Sequence, residues 1–129
     1  MGESFYASIN GKPYYMRGGN YIPPDMFMPR AAKNPEIYQK IIEDSVGAGY
    51  NTLRLWGGGQ FEHDVFYRLC DEAGLLIWHD LMFACAWYPG NREFLDDVTA
   101  ELEDNIRRIR VHASLAMWNG NNEVDQGWK

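Results

Sequence analysis

The sequence predicts an α/β fold that is built on a parallel sheet with right-handed crossovers, and three observations support this. Strand-like and helix-like segments alternate along the 129 residues in the order strand, helix, strand, helix, strand, helix, strand. The run "LLIWHD" at residues 75–80 is apolar on both faces, as parallel strands with covered faces are. The length of 129 residues is about half of the roughly 250 that a complete (β/α)8 barrel takes. We therefore interpret the chain as a parallel (β/α) half-barrel, strands 1–4 of a (β/α)8 TIM barrel.

The first strand and the first helix are marked by aromatic and turn-forming residues. The aromatic run at residues 14–17 predicts a strand, and a loop is expected to begin at Gly18 and Gly19. The pair Asn34-Pro35 predicts a helix start, because an amide side chain caps a helix and proline suits its first turn. Apolar residues then recur at helical spacing until Gly47 ends the pattern.

The remaining elements follow from the same periodicities. Strands are predicted at residues 51–56, 75–80 and 114–119, and helices at about 64–73 and along an apolar stripe over 94–109. Gly74 stands where a helix C-cap favours glycine. No repeat, low-complexity tract or linker interrupts this order, so we expect one domain over residues 1–129. We interpret residues 1–4, "MGES", as an addition from expression cloning.

Composition and charge exclude several classes of partner. The formal net charge is −6 and the basic residues are scattered, which argues against a nucleic-acid partner. The longest uninterrupted apolar stretch, Leu81 to Tyr88, is too short to span a bilayer, so we expect no membrane partner. No signal peptide is visible, which leaves the localisation unknown. No cysteine or histidine pair has metal-ligand spacing, and the sequence therefore predicts no metal and no cofactor.

Polar and aromatic side chains follow all four predicted strands at their carboxyl ends, where the active sites of parallel α/β folds lie. These residues are Asn20, Arg54, Trp56, Asp80, Trp118, Asn119, Asn121, Asn122 and Glu123. The mixture suits a sugar, because amides and carboxylates bind hydroxyl groups and indoles cover the apolar faces of the ring. One carboxyl group at such a rim can act as the general acid of a glycosidase.

Each of these residues also has a structural interpretation when it is taken alone. Arg54 can simply neutralise Asp80 or Glu123, and the two tryptophans Trp56 and Trp118 can be core residues at strand ends. Cys85 lies in the predicted rim loop, but the sequence indicates no base beside it. The combination of these side chains at one rim, rather than any single member, favours a binding site.

Three long strings carry a resemblance to a known family: "INGKPYYMRGGNYIP", "NTLRLWGGGQFEHDVFYRLCDEAGLLIWHDLMFACAWYP" and "NIRRIRVHASLAMWNGNNE". The chain resembles the β-mannosidases of glycoside hydrolase family 2 over nearly all of its length, in the first half of their catalytic barrel. The pair Asn-Glu that closes the fourth strand is shared by the wider family, whereas Trp-x-Gly-Asn-Asn-Glu is similar to the mannosidase branch. One departure is "VHAS" at residues 111–114, where relatives usually have His-Pro-Ser.

The resemblance implies a retaining, exo-acting glycosidase that releases β-linked mannose from the non-reducing ends of glycans. It implies that Glu123 is the general acid/base, that Asn122 binds the 2-hydroxyl group, and that Arg54 lies near the nucleophile carboxylate. Further substrate contacts are expected at Trp56, Asn20, Asp80, Trp87 and, from its position at the rim, Trp118.

The resemblance also implies what lies outside this chain. The nucleophile of the family is a second Glu at the end of strand 7, and β-sandwich domains flank the barrel. We therefore expect the rest of the catalytic barrel and these domains as partners, a β-mannoside oligosaccharide or glycan as substrate, and no activity from residues 1–129 alone.

Other functions stay open at this point. Within the family, a β-glucosidase, β-galactosidase or glucosaminidase is possible, because absent residues help to recognise the sugar. From other classes, the rim fits a non-catalytic carbohydrate-binding module. The glycine run at 57–59, with Asp80 about 20 residues further along, partly matches the dinucleotide-binding fingerprint of a nucleotide-binding α/β domain. That fingerprint fails at Glu62, which stands where a glycine is needed.

Overall fold

The computed structural model describes residues 2–128. Its strands are β1 (Ala7–Ile9), β2 (Lys12–Tyr14), β3 (Gly18–Tyr21), β4 (Thr52–Leu55), β5 (Leu76–Asp80) and β6 (Leu115–Asn119). Its α-helices are α1 (Met28–Lys33), α2 (Glu36–Gly47), α3 (Asp64–Ala73) and α4 (Arg92–Ile109), and a short 3-10 helix spans Asp125–Trp128.

The central sheet has four parallel strands in the order β3-β4-β5-β6. Each strand therefore lies beside the strand that follows it in the chain, with a helical connection between them. A dinucleotide-binding sheet places its first strand in the middle, in the order 3-2-1-4. The observed order is that of a barrel wall, and it contradicts the nucleotide-binding interpretation.

The first strand of this sheet was predicted in the wrong place. Residues 12–14 pair with β1 in an antiparallel hairpin, whose turn at Asn10 and Gly11 has the positive φ angles of 51° and 76° that such turns require. The parallel strand is β3, which contains Gly18, Gly19 and Asn20. A Cβ atom at Gly18 would overlap the carbonyl group of Thr52 on β4. Glycine thus permits the close approach of two strands at a position that the sequence suggests is a loop.

The predicted start of the first long helix, at Pro35, is correct to within one residue, but its predicted cap at Asn34 is wrong. Helix α1 precedes it, and Asn34 closes α1, with its side-chain Nδ2 donating a hydrogen bond to the carbonyl of Arg30. Pro35 takes the N-cap position of α2 without a side-chain cap. The prediction for the second long helix is confirmed. Helix α3 has the predicted bounds, and Gly74 caps it in the left-handed conformation with φ of 69°.

The core lies between the sheet and the helices α2 and α3. It is built from buried apolar side chains, which are Tyr21, Ala31, Tyr38, Ile42, Leu53, Leu55, Phe66, Tyr67, Cys70, Leu75, Ile77 and Ile109. The core also holds the carboxylate of Glu62, which accepts hydrogen bonds from the hydroxyl groups of Tyr21 (2.9 Å) and Tyr38 (2.8 Å). Burial raises the pKa of both tyrosines, and the charge of Glu62 adds to this effect.

Helix α4 follows the predicted stripe only in part. Ile109 at its C-terminal end is buried in the core, whereas Leu95 near its start is 49% exposed. Among residues 2–128, no helix combines the length and the hydropathy of a membrane span.

We expect Gly18→Ala to lower the free energy of unfolding by about 1–3 kcal/mol, because the added methyl group must displace the backbone of β4. Urea denaturation of the purified protein measures this change. Gly47→Ala is the matched control, since a Cβ atom there meets nothing within 4 Å, and it should leave stability unchanged or slightly higher. Equal effects of the two substitutions would contradict the strand contact.

Candidate active site

The carboxylate of Asp80 joins the carboxyl ends of three neighbouring strands. It is fully buried and accepts four hydrogen bonds. Arg54 on β4 donates two of them, from Nε to Oδ1 at 3.2 Å and from Nη2 to Oδ2 at 2.6 Å. The backbone N–H of Gly57 donates to Oδ2 at 3.1 Å, and Asn119 Nδ2 on β6 donates to Oδ1 at 2.9 Å. Because both oxygens are already paired, Asp80 is suited to hold its neighbours in place rather than to contact a sugar.

The guanidinium group of Arg54 extends from this ion pair to two predicted substrate contacts. Its Nη2 donates to Asn122 Oδ1 at 2.9 Å, and its Nη1 donates to Asn20 Oδ1 at 3.3 Å. The structure therefore brings together Asn20, Arg54, Asp80 and Asn122, which lie far apart in the sequence. Trp78, which the sequence analysis did not single out, lies under the same group, with its ring centre 6.0 Å from the guanidinium carbon.

A cavity of about 350 Å³ opens beside this cluster on the inner face of the sheet. Its lining residues are Met16, Gly18, Gly19, Asn20, Thr52, Arg54 and Trp78. The alternation of side chains along a strand could have identified Trp78, because it precedes Asp80 by two positions and thus shares its face.

Glu123 lies just beyond β6, next to Asn122 in the chain. Its backbone φ is 58°, in the left-handed region, and its Oε2 lies 3.5 Å from the thiol sulfur of Cys85. Glu123 and Cys85 line a cavity of about 280 Å³ together with Trp87. The predicted acid and one predicted aromatic contact therefore share a single depression at the rim.

The other two tryptophans predicted to contact substrate, Trp56 and Trp118, lie in different surroundings. Trp56 is partly buried, and its indole packs so closely over Gly58 that a Cβ atom there would overlap it. Trp118 packs against the core on the helix-facing side of the sheet, with its ring centre 4.8 Å from that of His79. This position gives no support to the prediction that Trp118 contacts substrate.

Behind Asp80, on the helix-facing side of the sheet, a buried chain of hydrogen bonds starts at its carbonyl group. His79 Nδ1 lies 2.7 Å from the Asp80 carbonyl oxygen, and His79 Nε2 lies 2.9 Å from the hydroxyl of Tyr67. That hydroxyl accepts a hydrogen bond from the backbone N–H of Glu62 at 3.1 Å. Because the Asp80 carbonyl can only accept, the proton of a neutral imidazole lies on Nδ1, and Nε2 accepts a hydrogen bond from the Tyr67 hydroxyl. Burial lowers the pKa of His79 to about 4.

Comparison with known proteins shows which enzymes the chain is similar to. No protein-family model matches the chain. A β-mannosidase of Bos taurus is 44% identical over 131 residues, which cover 98% of this chain and 15% of that protein. The crystal structure of a β-D-mannosidase from Dictyoglomus thermophilum matches at a TM-score of 0.90 and 48% identity, over 95% of this chain and 15% of that one. Over nearly all of its own length, the chain is similar to a segment of the β-mannosidases of glycoside hydrolase family 2.

The family relationship agrees with a broader structural likeness. A glycosyl hydrolase family 2 member from Bacteroides cellulosilyticus matches at a TM-score of 0.68 and 26% identity, over 88% of this chain and 15% of that one. The chain thus spans about 15% of the length of the relatives it matches. These matches and the strand order confirm the predicted resemblance to family 2 β-mannosidases and the predicted half-barrel fold.

We expect Asp80→Asn to destabilise the protein by about 3 kcal/mol, because it leaves the partly buried guanidinium of Arg54 without its counter-charge. Chemical denaturation gives the difference in unfolding free energy. Asp44→Asn is the matched control, since Asp44 pairs with Lys40 on the exposed surface of α2, and its loss should change little. An Asp80 variant as stable as the Asp44 variant would contradict the role of Asp80 as the centre of the cluster.

We expect the free energy of unfolding to fall as the pH falls from about 6.5 towards about 4, in part because of His79. The unfolded chain takes up a proton on this histidine near its ordinary pKa of 6.5, whereas the folded protein resists it until about pH 4. His79→Asn keeps a donor for the Asp80 carbonyl but does not titrate, so its pH profile should be flatter in this window. Parallel profiles of the two proteins would show that His79 does not titrate differently on unfolding.

Proposed function

We propose that the full-length protein containing this chain is a retaining, exo-acting β-mannosidase, with Glu123 as its general acid/base. The observation that carries the proposal is the linkage of Asn122 to the Arg54–Asp80 ion pair, with Glu123 directly beside it at the rim. Sequence similarity supports it, because the similar proteins from Bos taurus and Dictyoglomus thermophilum are named β-mannosidases. The substrate is accordingly a β-linked mannoside at the non-reducing end of an oligosaccharide or glycan.

In this mechanism Glu123 acts twice. As an acid it protonates the glycosidic oxygen while a second carboxylate attacks the anomeric carbon. As a base it then removes a proton from the water that hydrolyses the covalent intermediate. We assign the nucleophile to a part of the protein outside residues 1–129, since the saturated and buried carboxylate of Asp80 is unsuited to attack. The two reacting carboxyl groups of retaining enzymes lie about 5–5.5 Å apart.

The neighbouring polar residues would orient the sugar. Arg54 fixes the side chain of Asn122 through its Oδ1, so that the amide has a defined direction toward the 2-hydroxyl group. Asn20 receives a weaker hydrogen bond from the same guanidinium and faces the cavity that Arg54 lines. Asp80 serves these contacts indirectly, as the counter-charge that holds Arg54.

Aromatic residues would bound the sugar on its apolar faces. Trp87 shares the cavity of Glu123, and Trp56 follows Arg54 at the end of β4. Indoles in such positions can stack on the faces of a pyranose ring and exclude water from the reacting bond. The remaining barrel strands and flanking β-sandwich domains would complete the pocket as partners of this segment.

A substrate panel tests the proposed function directly. The full-length protein should hydrolyse an aryl β-mannoside faster than the matching aryl β-glucoside, β-galactoside and N-acetyl-β-glucosaminide. NMR of the initial product should show the β-anomer, as retention of configuration requires. Faster hydrolysis of another sugar would assign a different family 2 activity, and glycan binding without turnover would indicate a binding module.

We expect Glu123→Gln in the full-length protein to slow hydrolysis of poor leaving groups by roughly 10²–10⁴-fold, and of activated phenols much less. A phenolate of low pKa leaves with little protonation, whereas an alkoxide depends on the acid. Comparison of kcat/KM for a methyl and a dinitrophenyl β-mannoside measures the difference. Glu101→Gln on the exposed surface of α4 is the matched control and should be silent. Equal losses on both substrates would remove Glu123 from the acid role.

A further inference from the structure

The side chain of Cys85 contacts both Glu123, the proposed general acid, and Asn122, the proposed contact of the 2-hydroxyl group. Its thiol donates a hydrogen bond to Glu123 Oε2 at 3.5 Å, and its sulfur accepts one from Asn122 Nδ2 at 3.3 Å. A thiol is both a weak donor and a weak acceptor, so one small side chain can serve both neighbours. Cys85 therefore links the proposed acid to the proposed 2-hydroxyl contact.

The backbone around Cys85 is paired with the loop that carries Asn122 and Glu123. Ala84 and Asn122 form an isolated parallel bridge. Within it, the N–H of Asn122 donates to the carbonyl of Phe83 and the N–H of Cys85 donates to the carbonyl of Asn122, each at 2.9 Å. This pairing ties the loop after β5 to the loop after β6. Cys85 and Glu123 therefore lie in, or directly beside, a backbone pairing that holds the two loops together.

Both residues of the contact also have unusual backbone conformations. Among residues 2–128, three residues other than glycine have positive φ, namely Asn10, Cys85 (50°) and Glu123 (58°). Asn10 lies in a hairpin turn, where such a conformation is ordinary. Cys85 and Glu123 instead face each other across the rim. Such conformations are costly for most side chains and persist where the surroundings hold them, often at active sites.

Packing does not account for the cysteine at this position. Cys85 is exposed and lines the open cavity beside Glu123, so its sulfur buries little apolar surface. Cys70, by contrast, is fully buried in the core and has an ordinary packing role.

We propose, on the basis of the function proposed above, that Cys85 is a positioning residue for Glu123. Its thiol hydrogen bond holds the carboxyl group in the orientation from which it protonates the leaving oxygen. Because a thiol is a weak donor, it orients the carboxyl group and still leaves it free to exchange its proton with the leaving group and then with water. Cys85 itself contacts neither the reacting bond nor the nucleophile in this proposal.

Substitution in the full-length protein tests the proposal. Cys85→Ala should lower kcat/KM about tenfold for a methyl β-mannoside and about twofold or less for a dinitrophenyl β-mannoside. Cys85→Ser keeps a donor and should recover most of the loss. A merely structural role would give equal losses on both substrates, or a Ser variant no better than the Ala variant, and either result would overturn the proposal.

Chemical modification of the folded wild-type protein gives a second measurement, which does not depend on whether a variant folds. Methyl methanethiosulfonate converts the S–H of Cys85 into a mixed disulfide that has no donor. Hydrolysis of the methyl mannoside should then fall at least about tenfold and recover after treatment with a thiol reductant. Activity of the Cys85→Ser variant should survive the same treatment, because burial raises the pKa of Cys70, the other cysteine of residues 2–128, to about 12. Full activity of protein modified at Cys85 would refute the positioning role.

The two proposals can fail separately. A wild-type protein that hydrolyses no β-mannoside refutes the proposed function, and the role of Cys85 falls with it. The positioning role alone is refuted if the wild-type protein hydrolyses β-mannosides and Glu123→Gln shows the expected leaving-group effect, but the Cys85 variants do not.

Discussion

The buried carboxylate of Asp80 is the interaction on which the rim of this half-barrel depends. A carboxylate without solvent is tolerated only when charge and hydrogen bonds replace the water that it has lost. Here Arg54 supplies the charge, and Gly57 and Asn119 supply the remaining donors. Because these donors come from β4, the loop after it and β6, satisfying one carboxylate fixes the ends of three strands relative to one another. Gly57 also lacks the Cβ atom that would meet the carbonyls of the loop after β5.

The last two residues of β5 contact groups on opposite faces of the sheet. Asp80 points to the rim cluster, and the preceding His79 points into the core, where it joins the chain from the Asp80 carbonyl to Tyr67 and Glu62. The backbone at this strand end is therefore held from the helix side, while its side chain is held from the other. Such support on both faces leaves Arg54 little freedom, and a guanidinium with a fixed plane can hold Asn122 in one orientation.

The sequence predicted those features that depend on local periodicity, and it missed those that depend on neighbouring strands. Helix α3 and the strands β5 and β6 were predicted to within one residue, because their apolar spacing is regular. Strand β3 carries two glycines and no such pattern, and its pairing follows from the space beside Thr52. Pairing of Arg54 with Asp80 was weighed from the sequence as an alternative to a binding role. The geometry combines the structural and the binding interpretations, since the same guanidinium neutralises Asp80 and donates hydrogen bonds to Asn20 and Asn122.

A single irregularity in β6 explains why Trp118 and Asn119 lie where they do. The register shifts between Ile77 and Trp78 on β5, whose partners on β6 are Leu115 and Met117. An extra residue reverses the faces of all side chains that follow it. If β6 paired regularly from Leu115 onward, without the bulge, Trp118 would face the rim and Asn119 would face the helices. With the bulge, Asn119 donates to Asp80, Trp118 packs on His79, and Asn122 lies within reach of Arg54. The bulge therefore lets β6 supply the donor that the buried carboxylate of Asp80 requires, while the indole next to it in the chain packs against the core.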